Sequence, residues 1–198
     1  MIQIDDAGWG SLVGGVLIAA TRTETGEFAC GEIPVAFFQS EAFARKAYLE
    51  ESRDVARRVL EQLHVGKDEP IEICTGYVLE GVRSMLDADG YTSWRTGKIT
   101  GALQDKIERD LLNRVRALGV QTDYATLTTK QGLYFYQCVK WLKGGNLNAA
   151  RPVPERELLC KTGWATYRAW AYNPYEKAKQ IAKAIKQGRH EQSAMTLN

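Results

Sequence analysis

The chain has 198 residues, with 26 Lys and Arg against 24 Asp and Glu and a formal net charge of +2. That length builds one domain with a full core, and hydrophobic and charged fractions of 44% and 25% exclude a disordered or collagen-like chain. No apolar run approaches the roughly 20 residues of a membrane span, and no basic, apolar leader precedes the first strand, so a cytoplasmic chain with no membrane partner is expected.

Ile2-Gln3-Ile4-Asp5-Asp6 reads as a short buried strand ending on two adjacent carboxylates. Ala7-Gly8-Trp9-Gly10 is a glycine turn, and residues 12–20 form a second apolar strand. Phe28 to Phe38 is β-like, with Pro34 marking an edge, so three antiparallel strands open the chain. Ser40 to about Leu63 has helical spacing, Pro70 to Cys74 is a short strand, and Tyr77 to Leu86 has helical composition before the turn Asp87-Ala88-Asp89-Gly90. The clearest helix is Ile99 to Leu118, whose Leu103, Ile107, Leu111, Val115 and Leu118 form one stripe. Asp123 to Thr129 reads as a fifth strand, and Gln131 to Lys143 as an aromatic-rich helix. A helical extension follows over about 155–188, interrupted near Asn173-Pro174, and a frayed tail is expected from Arg189. The pattern β-β-β-α-β-α-β-α predicts a single α/β domain over 1–198.

Like charges side by side at a strand end repel, and a hard divalent cation between them is the usual remedy. The bland alternative is an acidic β-turn, since Asp and Gly are ordinary turn residues. Cys30, Cys74, Cys138 and Cys160 have no paired spacing, so neither a zinc site nor a disulfide framework is indicated, and only His64 and His190 are present. Any metal would therefore be held by oxygen ligands. Charge is uneven: Lys130 to His190 carries twelve Lys and Arg against three acids, beside an acidic remainder. A basic region next to an acidic cluster fits a phosphate-binding surface beside a cation site, although solvated helix faces also collect lysines.

The string Ile4 to Ala20 resembles the first strand of the type 2 ribonucleases H, whose pattern is roughly Ile-Asp-Glu-Ala-Gly-Arg-Gly. Asp5 falls on that family's first catalytic aspartate, Asp6 on its glutamate, and Gly8 and Gly10 on its glycines, while Trp9 stands in place of its arginine. The element order is similar to Holliday-junction resolvase-like nucleases. The resemblance implies the ribonuclease H-like fold: a mixed five-stranded sheet, made of a three-stranded antiparallel meander plus two parallel strands, flanked by helices. It also implies a nuclease hydrolysing phosphodiester bonds with Mg²⁺ or Mn²⁺ held by carboxylates, with nucleic acid as the partner; some members act as homodimers.

Such a site needs further acids beyond Asp5 and Asp6. The superfamily carries one at the end of strand four, where this chain has Cys74-Thr75-Gly76, so Glu72 and Glu80 are the nearest candidates. Glu108, one turn after Gln104, is the candidate on the long helix, and Glu157 the late one; a helix-capping or surface role is the alternative for each. Lys130 and Lys161 are candidate phosphate contacts, and Lys177, Lys179, Lys183 and Lys186 a diffuse phosphate-facing surface. Tyr134, Tyr136, Trp141, Trp164, Tyr167 and Trp170 either stack on bases or fill the core. The rival readings are a sugar-kinase or actin-like ATP site, which lacks its second copy here, and a fold-retaining protein without catalysis that binds nucleic acid or acts as a scaffold.

Overall fold

The computed structural model describes residues 1–195, with side chains to Gly188. Its centre is a five-stranded mixed sheet in the order β3-β2-β1-β4-β5. The strands are β1 (Ile2–Ala7), β2 (Val16–Arg22), β3 (Phe28–Ile33), β4 (Ile71–Cys74) and β5 (Trp94–Gly97). β1 pairs antiparallel with β2, and β2 with β3, as the short turns require. β4 lies parallel to β1, and β5 parallel to β4, each reached through helical connections.

Alternation along β1 divides the molecule. Ile2 and Ile4 join Val16, Ile18, Ile71 and Ile73 in a core closed by α2 (Ala47–Gln62) and α3 (Glu80–Ala88). On the other face Ala7, Leu17 and Ala19 pack against α4 (Ala102–Ala117) and α6 (Gln131–Leu142), through Leu103, Ile107, Leu111, Cys138 and Leu142. The chain then runs through α7 (Pro154–Glu157), α8 (Tyr167–Tyr172) and α9 (Tyr175–Met195). No described helix is long and apolar enough to cross a membrane.

The structure corrects several expected elements. The extended stretch ends at Ile33, and Val35–Phe38 is a 3-10 turn begun by Pro34. The helix expected over Ser40–Leu63 is two pieces, α1 (Ser40–Ala44) and α2, because Lys46 turns left-handed at φ 57°. The turn expected at Asp87 begins only after Ala88, the end of α3. The fifth strand is Trp94–Gly97, while Asp123–Thr129 holds a helix, α5 (Tyr124–Thr129). The Asp123 carboxylate accepts the Thr126 amide at 2.7 Å, and the Thr128 and Thr129 hydroxyls donate to the Tyr124 and Ala125 carbonyls at 2.8 and 2.7 Å. The Asp123 cap thus stabilises a turn of helix in a segment whose threonines favour strand, while the two hydroxyls turn back onto carbonyls of the same turn. The late helical region breaks between α8 and α9 at Asn173-Pro174, as expected, but α9 continues through Arg189 to Met195. The rest of the expected frayed tail lies outside the described residues.

Candidate metal centre

Asp5 and Asp6 end β1, the central strand, where the sheet gives way to the glycine turn. Parallel pairing of Ile4 with Ile73 sets Asp5 beside Cys74 at the end of β4. Asp5 is buried, at 7% exposure, on the α4 face. Asp6 points the other way along the pleat, yet the strand end lets it return to the group. Among the described residues, one oxygen from each carboxylate and the Cys74 Sγ lie within 4.8 Å of one another. Gly76 makes the room: a Cβ there would sit 2.3 Å from Asp6 Oδ1.

The electrostatics are those of crowded acids. Burial pushes the Asp5 carboxyl above its ordinary range; the Cys74 thiol and the Asp6 amide partly offset this, and the charge of Glu108 adds to it. Asp6 is pushed up to about 7, first by burial and then by the charge on Asp5. The Cys74 thiol is also pushed up, chiefly by burial, so it stays protonated near neutrality.

Glu108, from α4, lines an open pocket of about 280 Å³ with Asp6 and the glycine turn. The Gln104 amide and the Tyr124 hydroxyl donate to it at 3.2 and 3.1 Å. Gly8 requires its glycine: at φ 100°, a Cβ would also lie 3.1 Å from the Gly15 carbonyl. Below the turn, the Ser11 hydroxyl meets the Tyr134 hydroxyl at 2.6 Å.

The other candidate acids stand apart from this group. Glu72 shares the face of Cys74, two residues earlier, but is taken up by Arg95 at 3.0 Å and the Gln3 amide at 3.3 Å. Glu80 is exposed at the start of α3, near Lys46 and Tyr77. Glu157 accepts hydroxyls from Tyr167 and Tyr172 at 2.9 and 2.8 Å, tying α7 to α8.

The lysines divide in two. Lys130, Lys177, Lys179, Lys183 and Lys186 are exposed, with Lys179 paired to Glu176 at 2.9 Å. Lys161 is not a surface phosphate contact: it is completely buried and donates to the Gly8 and Ser11 carbonyls, both at 2.7 Å. Lys143, buried as well, donates to the Asn173 carbonyl at 2.8 Å. The basic C-terminal region is therefore less basic at its surface than its sequence. Of the aromatic candidates, Tyr134, Trp141 and Tyr167 are core, while Tyr136, Trp164 and Trp170 are half-buried.

Sequence reasoning passed over two participants. Cys74 counted as a free thiol standing where an acid was expected, not as a member of the group itself. Trp9 counted only as a replaced arginine, yet its ring meets Phe38, Phe43, Tyr48 and Tyr77 at centroid distances of 5.4 to 6.4 Å.

The fold and the site define an α/β protein whose central strand ends in a paired-acid group. Comparison with models of protein families finds no match, and comparison with curated proteins finds none either.

As donors, Asp5 and Asp6 fit a hard divalent cation, whose charge would offset the burial, and secondarily the nearby acids, that raise both carboxyls. The third member of the group is a protonated thiol, a poor ligand for Mg²⁺.

Proposed function

We propose that the chain is a ribonuclease H-like nuclease that hydrolyses phosphodiester bonds in nucleic acid with Mg²⁺ or Mn²⁺ bound at Asp5 and Asp6. The observation that carries this reading is the meeting of two raised carboxyls at one strand end, with Asp6 also lining a pocket that Glu108 walls. Strand order supports it, because the superfamily also sets its first acid on the central strand, beside the end of strand four. The cation would neutralise phosphate charge and lower the pKa of bound water. Asp5, fixed by the Asp6 amide at 2.9 Å, and Asp6 hold it. Glu108, oriented by Tyr124 and Gln104, faces the same pocket. The exposed Lys130, Lys177, Lys183 and Lys186 offer contacts to the nucleic-acid backbone.

The test is a calorimetric titration of Mg²⁺ and Mn²⁺ into wild type and Asp5→Asn, followed by cleavage of single-stranded, duplex, hybrid and branched substrates. Saturable binding and cleavage, both lost in Asp5→Asn, support the reading. Absence of binding at millimolar metal, with nucleic acid present, overturns it. A second reading, a nucleic-acid-binding or scaffold protein without catalysis, is favoured by Cys74 standing where the superfamily carries an acid.

A further inference from the structure

An open groove of about 550 Å³ runs between the glycine turn, α6 and the α8–α9 region. Trp9, Phe43, Phe135, Trp164 and Trp170 line it, with Lys186 at its rim. Three of the chain's five tryptophans are there, and each of these aromatic residues is half-buried. Among the described residues no acid lines the groove. A Cβ added at Gly10 or Gly132, both in its wall, would meet no atom within 4 Å, so these glycines leave space that packing does not use. Trp9 and Gly10 also wall the pocket of Asp6 and Glu108, which makes groove and acid pocket neighbours across one residue pair.

We propose that this groove takes unpaired bases of a single-stranded nucleic acid, next to the phosphodiester presented to the acid group. The proposal rests on the nuclease reading for the choice of polymer. Half-buried flat rings with few charged neighbours suit base faces, which stack without regard to sequence. Lys186 and Lys183, exposed one turn apart on α9, add positive charge of the kind that tracks a phosphate backbone. A duplex keeps its bases stacked inside and cannot offer their faces to the groove, so the geometry selects single strands. A hydrophobic peptide is disfavoured, because among the described lining residues only the Thr166 hydroxyl can accept from backbone amides, and an extended backbone needs partners for its amides as well as its carbonyls.

The experiment is a tryptophan-fluorescence titration of the whole chain in EDTA, where no metal-dependent cleavage occurs. The probes are a short oligodeoxythymidylate, oligouridylate, and a blunt duplex of equal length. Both single strands should quench the fluorescence and bind at least about tenfold more tightly than the duplex. Phe135→Leu should weaken single-strand binding about tenfold. Lys186→Gln, an exposed change with no bearing on folding, should reduce its salt dependence by about one ion. Equal or tighter duplex binding, the absence of quenching, or unchanged binding by both variants overturns the proposal. Cation binding at Asp5, measured in parallel, separates the two readings. Quenching without cation binding removes the nuclease and keeps the groove; cation binding without quenching does the reverse.

Discussion

Lys161 shows how far a single residue can depart from its type. Its ammonium reaches two backbone carbonyls of the glycine turn, flanked by the rings of Phe38 and Trp164 at 5.4 and 5.7 Å. Burial pushes it down to about 7 from an ordinary value of 10.5. Between those two pH values the unfolded chain holds a proton that the folded chain has released, so this residue makes stability rise with pH across that window. The neighbouring Cys138 and Cys160 thiols are pushed up to about 12 and stay neutral there. Lys161→Met should lose the rise, so that its deficit against wild type in urea melts grows from pH 7 toward 10. Each carbonyl left without a donor should cost about 1–3 kcal/mol. Nothing in the sequence announces this role, since lysines are usually exposed and the two carbonyls come from the far end of the chain. Asp5 and Asp6 were legible as a pair, because like charges side by side at a strand end repel.

Asp6 has the opposite sign. With its folded value near 7 and an ordinary value of 3.8, the folded chain binds the proton more tightly. Its contribution to stability is therefore fully present below about 4 and lost as pH rises through 7. Asp6→Asn should flatten that fall in the metal-free protein and leave it more stable at pH 8. On the proposed reading the carboxylate is a cation ligand, so the same variant should lose cation binding. A melt series from pH 4 to 8, with and without Mg²⁺, reads both. Lower stability of the metal-free variant at pH 8 would show that Asp6 is held by packing that the charge does not strain.

Among the elements, legibility followed length and periodicity. The apolar stripe of α4 shows in the sequence because Leu103, Ile107, Leu111 and Val115 repeat at helical spacing. β5 was passed over because four residues, none of them fully buried, carry no alternation to read. α5 was read as strand because its threonines are β-branched, and local hydrogen bonding overrode that preference. The decisive bond is the Asp123 cap on the Thr126 amide. Asp123→Ala should destabilise the protein by about 1 kcal/mol in denaturant melts. Since α5 carries Tyr124, which holds Glu108, the variant should also loosen that carboxylate. Asp123→Ser, which keeps a cap, should restore most of the loss; failure to do so would assign the effect to the lost charge.

At the scale of the molecule, sheet order creates the site. Asp5 and Cys74 are distant in sequence, and only the parallel pairing of β1 with β4 makes them neighbours. The meander and the parallel pair were legible as an order of elements. The contact between strand ends was not, because it depends on register. Register also explains why Glu72 stands apart from the group: at two residues before Cys74 it falls beside Gln3 and Arg95. Cys74→Asp tests whether the juxtaposition is a cation site. A third carboxylate in a buried acid group should lower the stability of the metal-free protein by about 1–3 kcal/mol, through repulsion and desolvation. An added charged oxygen ligand should tighten Mg²⁺ binding, by about tenfold, so saturating Mg²⁺ should raise the melting temperature of the variant more than that of wild type. Paired melts and calorimetry would show both effects. If the variant binds Mg²⁺ no better than wild type, the strand ends do not converge on a cation, and the acids are better read as the rim of a binding surface.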